Sequence, residues 1–168
     1  LAWPPRPAEA AGVTVAAGAE QAAAPPGSFR VYRFSGVNAA DAREIDQTLL
    51  CGWCADEGPP RLRVMLAQSD LIVEAVPRSG DGPGFLRGPR LLPGERFAIE
   101  IGLHLAMGPG GVLWRCVGSD RWSSLATASA RGLESAVSPG QWTVGHGPSG
   151  GGDTPFRGRD LAVQSIDI

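Results

Sequence analysis

RFAIEIGLHLA, residues 96–106, decides how the rest of this chain is read. Along it Phe97, Ile99, Ile101, Leu103 and Leu105 fall on one face, and Ala98, Glu100, Gly102, His104 and Ala106 on the other. Successive side chains of an extended strand point to opposite sides. A period of two therefore puts one face on a core and leaves the other half-polar, as in an antiparallel sheet. Each Leu, Ile or Phe so buried contributes roughly 1.5–3 kcal/mol, which makes this strand the expected centre of the fold.

Working outward, β-rich runs recur at residues 61–66, 71–76, 112–117 and 161–168, with weaker ones at 123–128, 133–137 and 142–144. On the N-terminal side FRVYRF, residues 29–34, alternates too: Phe29, Val31 and Arg33 on one face, Arg30, Tyr32 and Phe34 on the other. Between the runs stand SGDGPG, LRGP, LLPGE, MGPGG, SPGQ and GPSGGGD, which are turn chemistry. Short strands with such punctuation predict a sandwich or barrel. The one helical signal is NAADAREIDQTLLCGW, residues 38–53, where Asn38 or Asp41 is placed to cap and Ile45, Leu49 and Leu50 form an apolar stripe. Residues 1–28 are rich in Ala, Pro and Gly and cannot offset their own chain entropy, so an extended arm is expected, with a short strand at Val13, Thr14 and Val15. The domain proper is then 29–168.

Composition narrows the function. A chain of 168 residues suits one domain with a real core. Its formal charge is −2, and all 15 basic residues are arginine. The absence of lysine, with one tyrosine and one asparagine, reads as the mutational bias of a GC-rich genome. The arginines are scattered, so no nucleic-acid partner is expected. No apolar run approaches the ~20 residues of a membrane helix, so no membrane span is expected.

Several motifs carry chemistry by spelling. GHGPSG, residues 145–150, matches a dinucleotide fingerprint, but GGDTPF follows it and cannot open the helix that would hold a pyrophosphate. A flexible hairpin is the preferred reading. His146, Ser149 and Asp153 on that permissive backbone are candidate ligand contacts. Cys51 and Cys54 have CxxC spacing without a βαβ setting or a second ligand pair, so a local disulfide or buried thiols is expected. Cys116 makes the cysteine count odd. Glu100 and His104 share the outer face of one strand and are candidates for a binding face. Trp122, in SDRWSS beside Arg121, is a candidate contact through stacking and bidentate hydrogen bonding. Trp114 and Trp142 fall in strands and are expected in the core. A lysine-dependent P-loop is impossible, since no lysine occurs.

PGERFAIEI, GGVLWRCVG, PGQWTVGHG and PFRGRDLAVQSIDI together resemble the second half of concanavalin A-like or laminin-G-like jelly rolls. The closing pattern is carried by Pro155, Phe156, Gly158, Leu161, Val163 and Ile166. The resemblance covers about residues 61–168. It implies a two-sheet antiparallel jelly-roll sandwich that acts as a carbohydrate- or protein-binding module. Calcium is common in that family, but no calcium ligand set can be placed here, and no other cofactor is expected. These readings converge on an all-β jelly-roll sandwich with one short helix and an extended N-terminal arm. The expected role is non-catalytic recognition of a glycan or surface protein, extracellular, on a cell surface or on a virion-type assembly, with oligomerisation through residues 1–28. Two alternatives stand beside it: a structural subunit of a virion, spike, fibre or pilus, and a glycoside hydrolase of the same sandwich class using Glu100.

Overall fold

The computed structural model describes residues 6–8, 13–16, 30–53, 62–76, 84–104, 111–129, 141–145 and 155–166. They form an all-β jelly-roll sandwich of two antiparallel sheets. The first sheet runs in the order β1 (Arg6–Ala8), β13 (Arg159–Ile166), β3 (Arg30–Val37), β8 (Arg96–Leu103), β9 (Val112–Cys116) and β10 (Ser123–Ser124). The second runs β11 (Ala126–Ser129), β7 (Gly84–Arg90), β6 (Asp70–Ala75), β5 (Leu62–Ala67), β4 (Asp46–Trp53), β12 (Gln141–Val144) and β2 (Val13–Ala16). No helix among the described residues is long and apolar enough to cross a membrane.

The alternation along β8 is the alternation of the core. Phe97, Ile99, Ile101 and Leu103 are all buried. Register places Ile99 opposite Phe34 and Ile101 opposite Tyr32 on β3, and Ile101 opposite Trp114 on β9. Residues directly opposite share a face, so these side chains form one apolar layer. The facing layer comes from the second sheet: Leu62, Val64 and Leu66 of β5, Leu71 and Val73 of β6, and Leu86 of β7. Phe156 closes one end of the core, fully buried and edge-on to Phe97 with ring centroids 6.3 Å apart. Trp114 packs against this cluster from its margin, as its strand position predicts. The β5–β6 hairpin turns through Gln68 (φ 51°) and Ser69 (φ 76°), a two-residue loop with both central residues left-handed, which matches the twist of the flanking strands.

Three sequence expectations are corrected. The helical signal at residues 38–53 gives only a 3-10 turn, Ala42–Glu44, followed by β4. Asn38 does not cap it. Its side chain is buried, donates to the Leu91 carbonyl at 2.9 Å and accepts from Gln47 Nε2 at 3.0 Å. Leu49 and Leu50 instead enter a sheet between β5 and β12, where the ladder overrides local helical spacing. LRGP reads as a turn, yet it lies inside β7, which pairs β6 and β11. The GHGPSG hairpin is not one, because β12 and β13 belong to different sheets. The Phe156 N–H donates to the Gly145 carbonyl at 2.7 Å, and residues 146–154 lie outside the described residues. Within the N-terminal arm, the strand expected at Val13–Val15 is β2, and a further strand, β1, pairs with β13.

Candidate ligand-binding face

The outer face of the first sheet gathers the polar chemistry. On β8, Glu100 points away from the core, yet it is only 3% exposed. Strand register explains this. Glu100 stands opposite Arg33 of β3 on one side and Arg115 of β9 on the other. Arg33 Nη2 lies 3.7 Å and Arg115 Nε 3.5 Å from the same carboxylate oxygen, Oε1. Along β8 its same-face neighbours are Ala98 and Gly102, too small to rise over it. On β13, Gln164 is opposite Arg33 and also buried, so the row extends to a fourth strand.

The row continues at its other end onto Trp122. This residue precedes β10, whose Ser123 pairs with Trp114, so Trp122 falls beside Arg115. The Arg115 guanidinium carbon sits 4.2 Å from the centre of the Trp122 ring. Gln164, Arg33, Glu100, Arg115 and Trp122 thus form a band across the sheet, brought together by cross-strand pairing.

Two cations share one anion in this band, so it carries a net positive charge. The Nε atoms of both Arg33 and Arg115 are buried without a hydrogen-bond partner. The Arg115 Nε contact with Glu100 is therefore an ion pair at long range rather than an aligned hydrogen bond. A buried donor left unmade costs about 1–3 kcal/mol, more when charged. The side chains of Arg33 and Arg115 are still 36% and 26% exposed, within reach of a ligand from solvent. An acceptor with two oxygens suits them.

The sequence candidates distribute unevenly over the molecule. Glu100 and Trp122 lie in the band. Arg121 is exposed, and its backbone N–H donates to Ser119 Oγ at 3.2 Å, while the arginine on the Trp122 ring is Arg115. His104 is half-buried at the end of β8, about 13 Å of strand from Glu100, so the two are not brought together. Cys51 is buried in β4. His146, Ser149, Asp153 and Cys54 lie outside the described residues. Glycosidase chemistry needs two carboxyl groups about 5–10 Å apart, and the cross-strand neighbours of Glu100 are arginines instead. Arg33 and Arg115 are the residues that sequence reading missed. Each sits at an outward position of an alternating run, FRVYRF and VLWRC, and that parity was the available signal.

Concavities lie elsewhere among the described residues. One of about 420 Å³ lies on the outer face of the second sheet, between Arg63, Met65, Ile72, Glu74 and Phe85. Another of about 640 Å³ lies beside the 3-10 turn, between Asp41, Arg43, Glu44, Leu92 and Glu95. Arg63 in the first also has a buried Nε, so what sets the arginine band apart is that two arginines flank one buried carboxylate.

No family model and no curated protein sequence matches this chain. Solved structures do. The CBM40 module of Ruminococcus gnavus IT-sialidase bound to alpha2,6-sialyllactose superposes with a TM-score of 0.59 at 14% identity, over 100% of this chain and 93% of that one. The same module bound to alpha2,3-sialyllactose gives 0.59 at 14%, over 100% and 92%. The binding domain of botulinum neurotoxin DC, in complex with rat synaptotagmin II, gives 0.50 at 10%, over 82% of this chain and 30% of that one. At such identities the likeness shows the fold, a sandwich shared with carbohydrate-binding modules.

Proposed function

We propose that this chain is a non-catalytic recognition module for acidic glycans, and that the outer face of the first sheet is its binding face. The observation that carries the reading is the pair of partly exposed arginines, Arg33 and Arg115, that flank the single buried carboxylate of Glu100. A guanidinium is a planar fork that matches a carboxylate bidentately. A carboxylated sugar would pair with the exposed guanidinium edges and neutralise the excess charge. The sialyllactose held by the R. gnavus modules carries such a carboxylate, which gives the reading a concrete ligand class. A module of this kind belongs outside the cell or on its surface. The chain's protein partners and its oligomeric state stand as further proposals, with residues 1–28 as the segment to truncate.

A glycan array printed with sialylated, uronate, sulfated and neutral sugars tests the class. Binding confined to carboxylated sugars supports the proposal. Equal binding to neutral glycans, or binding to none, contradicts it.

A further inference from the structure

We infer that Trp122 serves this face through Arg115 rather than as a sugar platform: its ring holds the Arg115 guanidinium in the plane that presents a nitrogen edge to the ligand's carboxylate. The inference rests on the acidic-glycan reading above and deepens it by assigning the residue that sets selectivity for the acid.

Arg115 is held from two sides. Its guanidinium carbon lies over the Trp122 ring, 4.2 Å from the ring centre, and its Nε lies 3.5 Å from Glu100 Oε1. A guanidinium stacked by its face keeps all its N–H donors in the plane, free to fork onto a carboxylate. Without the ring, a long arginine side chain would have to be ordered at the moment of binding, which costs affinity. The position of the ring is itself determined by the sheet. Ser123 and Ser124 pair with Trp114 and Leu113, and this short edge ladder brings Trp122 against β9. Arg115 covers the ring, and Trp122 is only half-exposed, so it is not the open stacking surface that its loop sequence suggests. Arg33, on the far side of Glu100, is the internal control.

The test has two arms, both on the full chain. Side-chain Nε–H resonances are compared in the parent, Trp122→Ala and Trp122→Phe proteins. The Arg115 Nε–H should be shifted by the ring in the parent, lose that shift in Trp122→Ala and keep part of it in Trp122→Phe, with the Arg33 signal unmoved. Calorimetric titrations with sialyllactose and lactose form the second arm. Trp122→Ala should weaken sialyllactose binding roughly 5- to 30-fold, and Trp122→Phe should stay within about threefold of the parent. Parent-like affinity in Trp122→Ala overturns the inference. So does equal loss in both variants, or a parallel fall for acidic and neutral sugars, which would mark direct sugar contact. Should the parent bind no sialyllactose, the acidic-glycan reading fails on its own. The resonance arm then decides: an Arg115 signal indifferent to Trp122→Ala overturns the stack, and a dependent one upholds it. Trp122→Phe keeps the test valid if the alanine variant does not fold.

Discussion

Replacing Gly158 by alanine should lower the melting temperature of this protein by several degrees. A Cβ placed at Gly158 would overlap the Val37 carbonyl oxygen and stand 2.8 Å from Cε2 of Phe156. Carbon atoms in comfortable contact are about 3.5–4.0 Å apart. Neither neighbour can yield easily. The Val37 carbonyl belongs to β3, whose residue is in register with Arg159 of β13. The Phe156 ring is fully buried and wedged against Phe97. The backbone entering β13 must therefore move, in the strand that pairs with β3 beside the core. Overpacking of this kind costs about 1–3 kcal/mol and occasionally more. Restricting the unfolded chain by removing a glycine returns about 0.4–1 kcal/mol. The net loss, about 1–2 kcal/mol, corresponds to a fall of about 2–8 °C for a domain of this size. Differential scanning calorimetry reads it directly. Gly36→Ala is the comparator, because its Cβ would meet its neighbours at 3.2–3.3 Å, a fit that small shifts can absorb. A Gly158→Ala protein that melts with the parent, or above Gly36→Ala, would refute the close approach of β13 to β3.

Other substitutions probe the rest of the account. Ser69→Gly should raise stability by about 1 kcal/mol in urea unfolding, because Ser69 is left-handed (φ 76°) and its buried hydroxyl has no partner. Gln47→Leu should lower it by about 2–4 kcal/mol in the same assay. Gln47 is fully buried, accepts from the Arg157 N–H at 3.0 Å and donates to Asn38 at 3.0 Å, so both partners lose their bond. Glu100→Gln should lower stability by about 1–3 kcal/mol, since it leaves Arg33 and Arg115 without their shared anion. Added sialyllactose should recover part of that loss in thermal melts.

The architecture was legible because burial on one face writes itself into alternation. Phe97, Ile99, Ile101 and Leu103 announce β8, and the runs around Leu62 and Leu71 announce β5 and β6 in the same way. β4 was not legible, since Ile45, Leu49 and Leu50 fit helical spacing as well as strand spacing, and only the pairing with β5 and β12 decides. β7 was hidden because Gly88 and Pro89 sit inside it. A Cβ at Gly88 would lie 3.0 Å from Cδ2 of Leu71, so a glycine that reads as a turn sits at a tight packing contact inside the strand. The candidate site was half legible. Parity puts Arg33, Glu100 and Arg115 on outward faces, and the Gly-rich break before β9 hints that β8 and β9 are neighbours. That β3 lies on the other side of β8 depends on long-range pairing that no local pattern encodes. For the same reason Trp122 was matched with Arg121, its neighbour in sequence, when its partner in space is Arg115.

The central claim is that Arg33 and Arg115 receive the carboxylate of an acidic sugar. Calorimetric titration of sialyllactose into the parent, Arg33→Ala and Arg115→Ala proteins, with lactose as the neutral control, tests it most directly. The account predicts saturable binding of sialyllactose but not lactose by the parent, and at least about tenfold weaker binding in each arginine variant. Sialyllactose affinity left intact by both substitutions would contradict it.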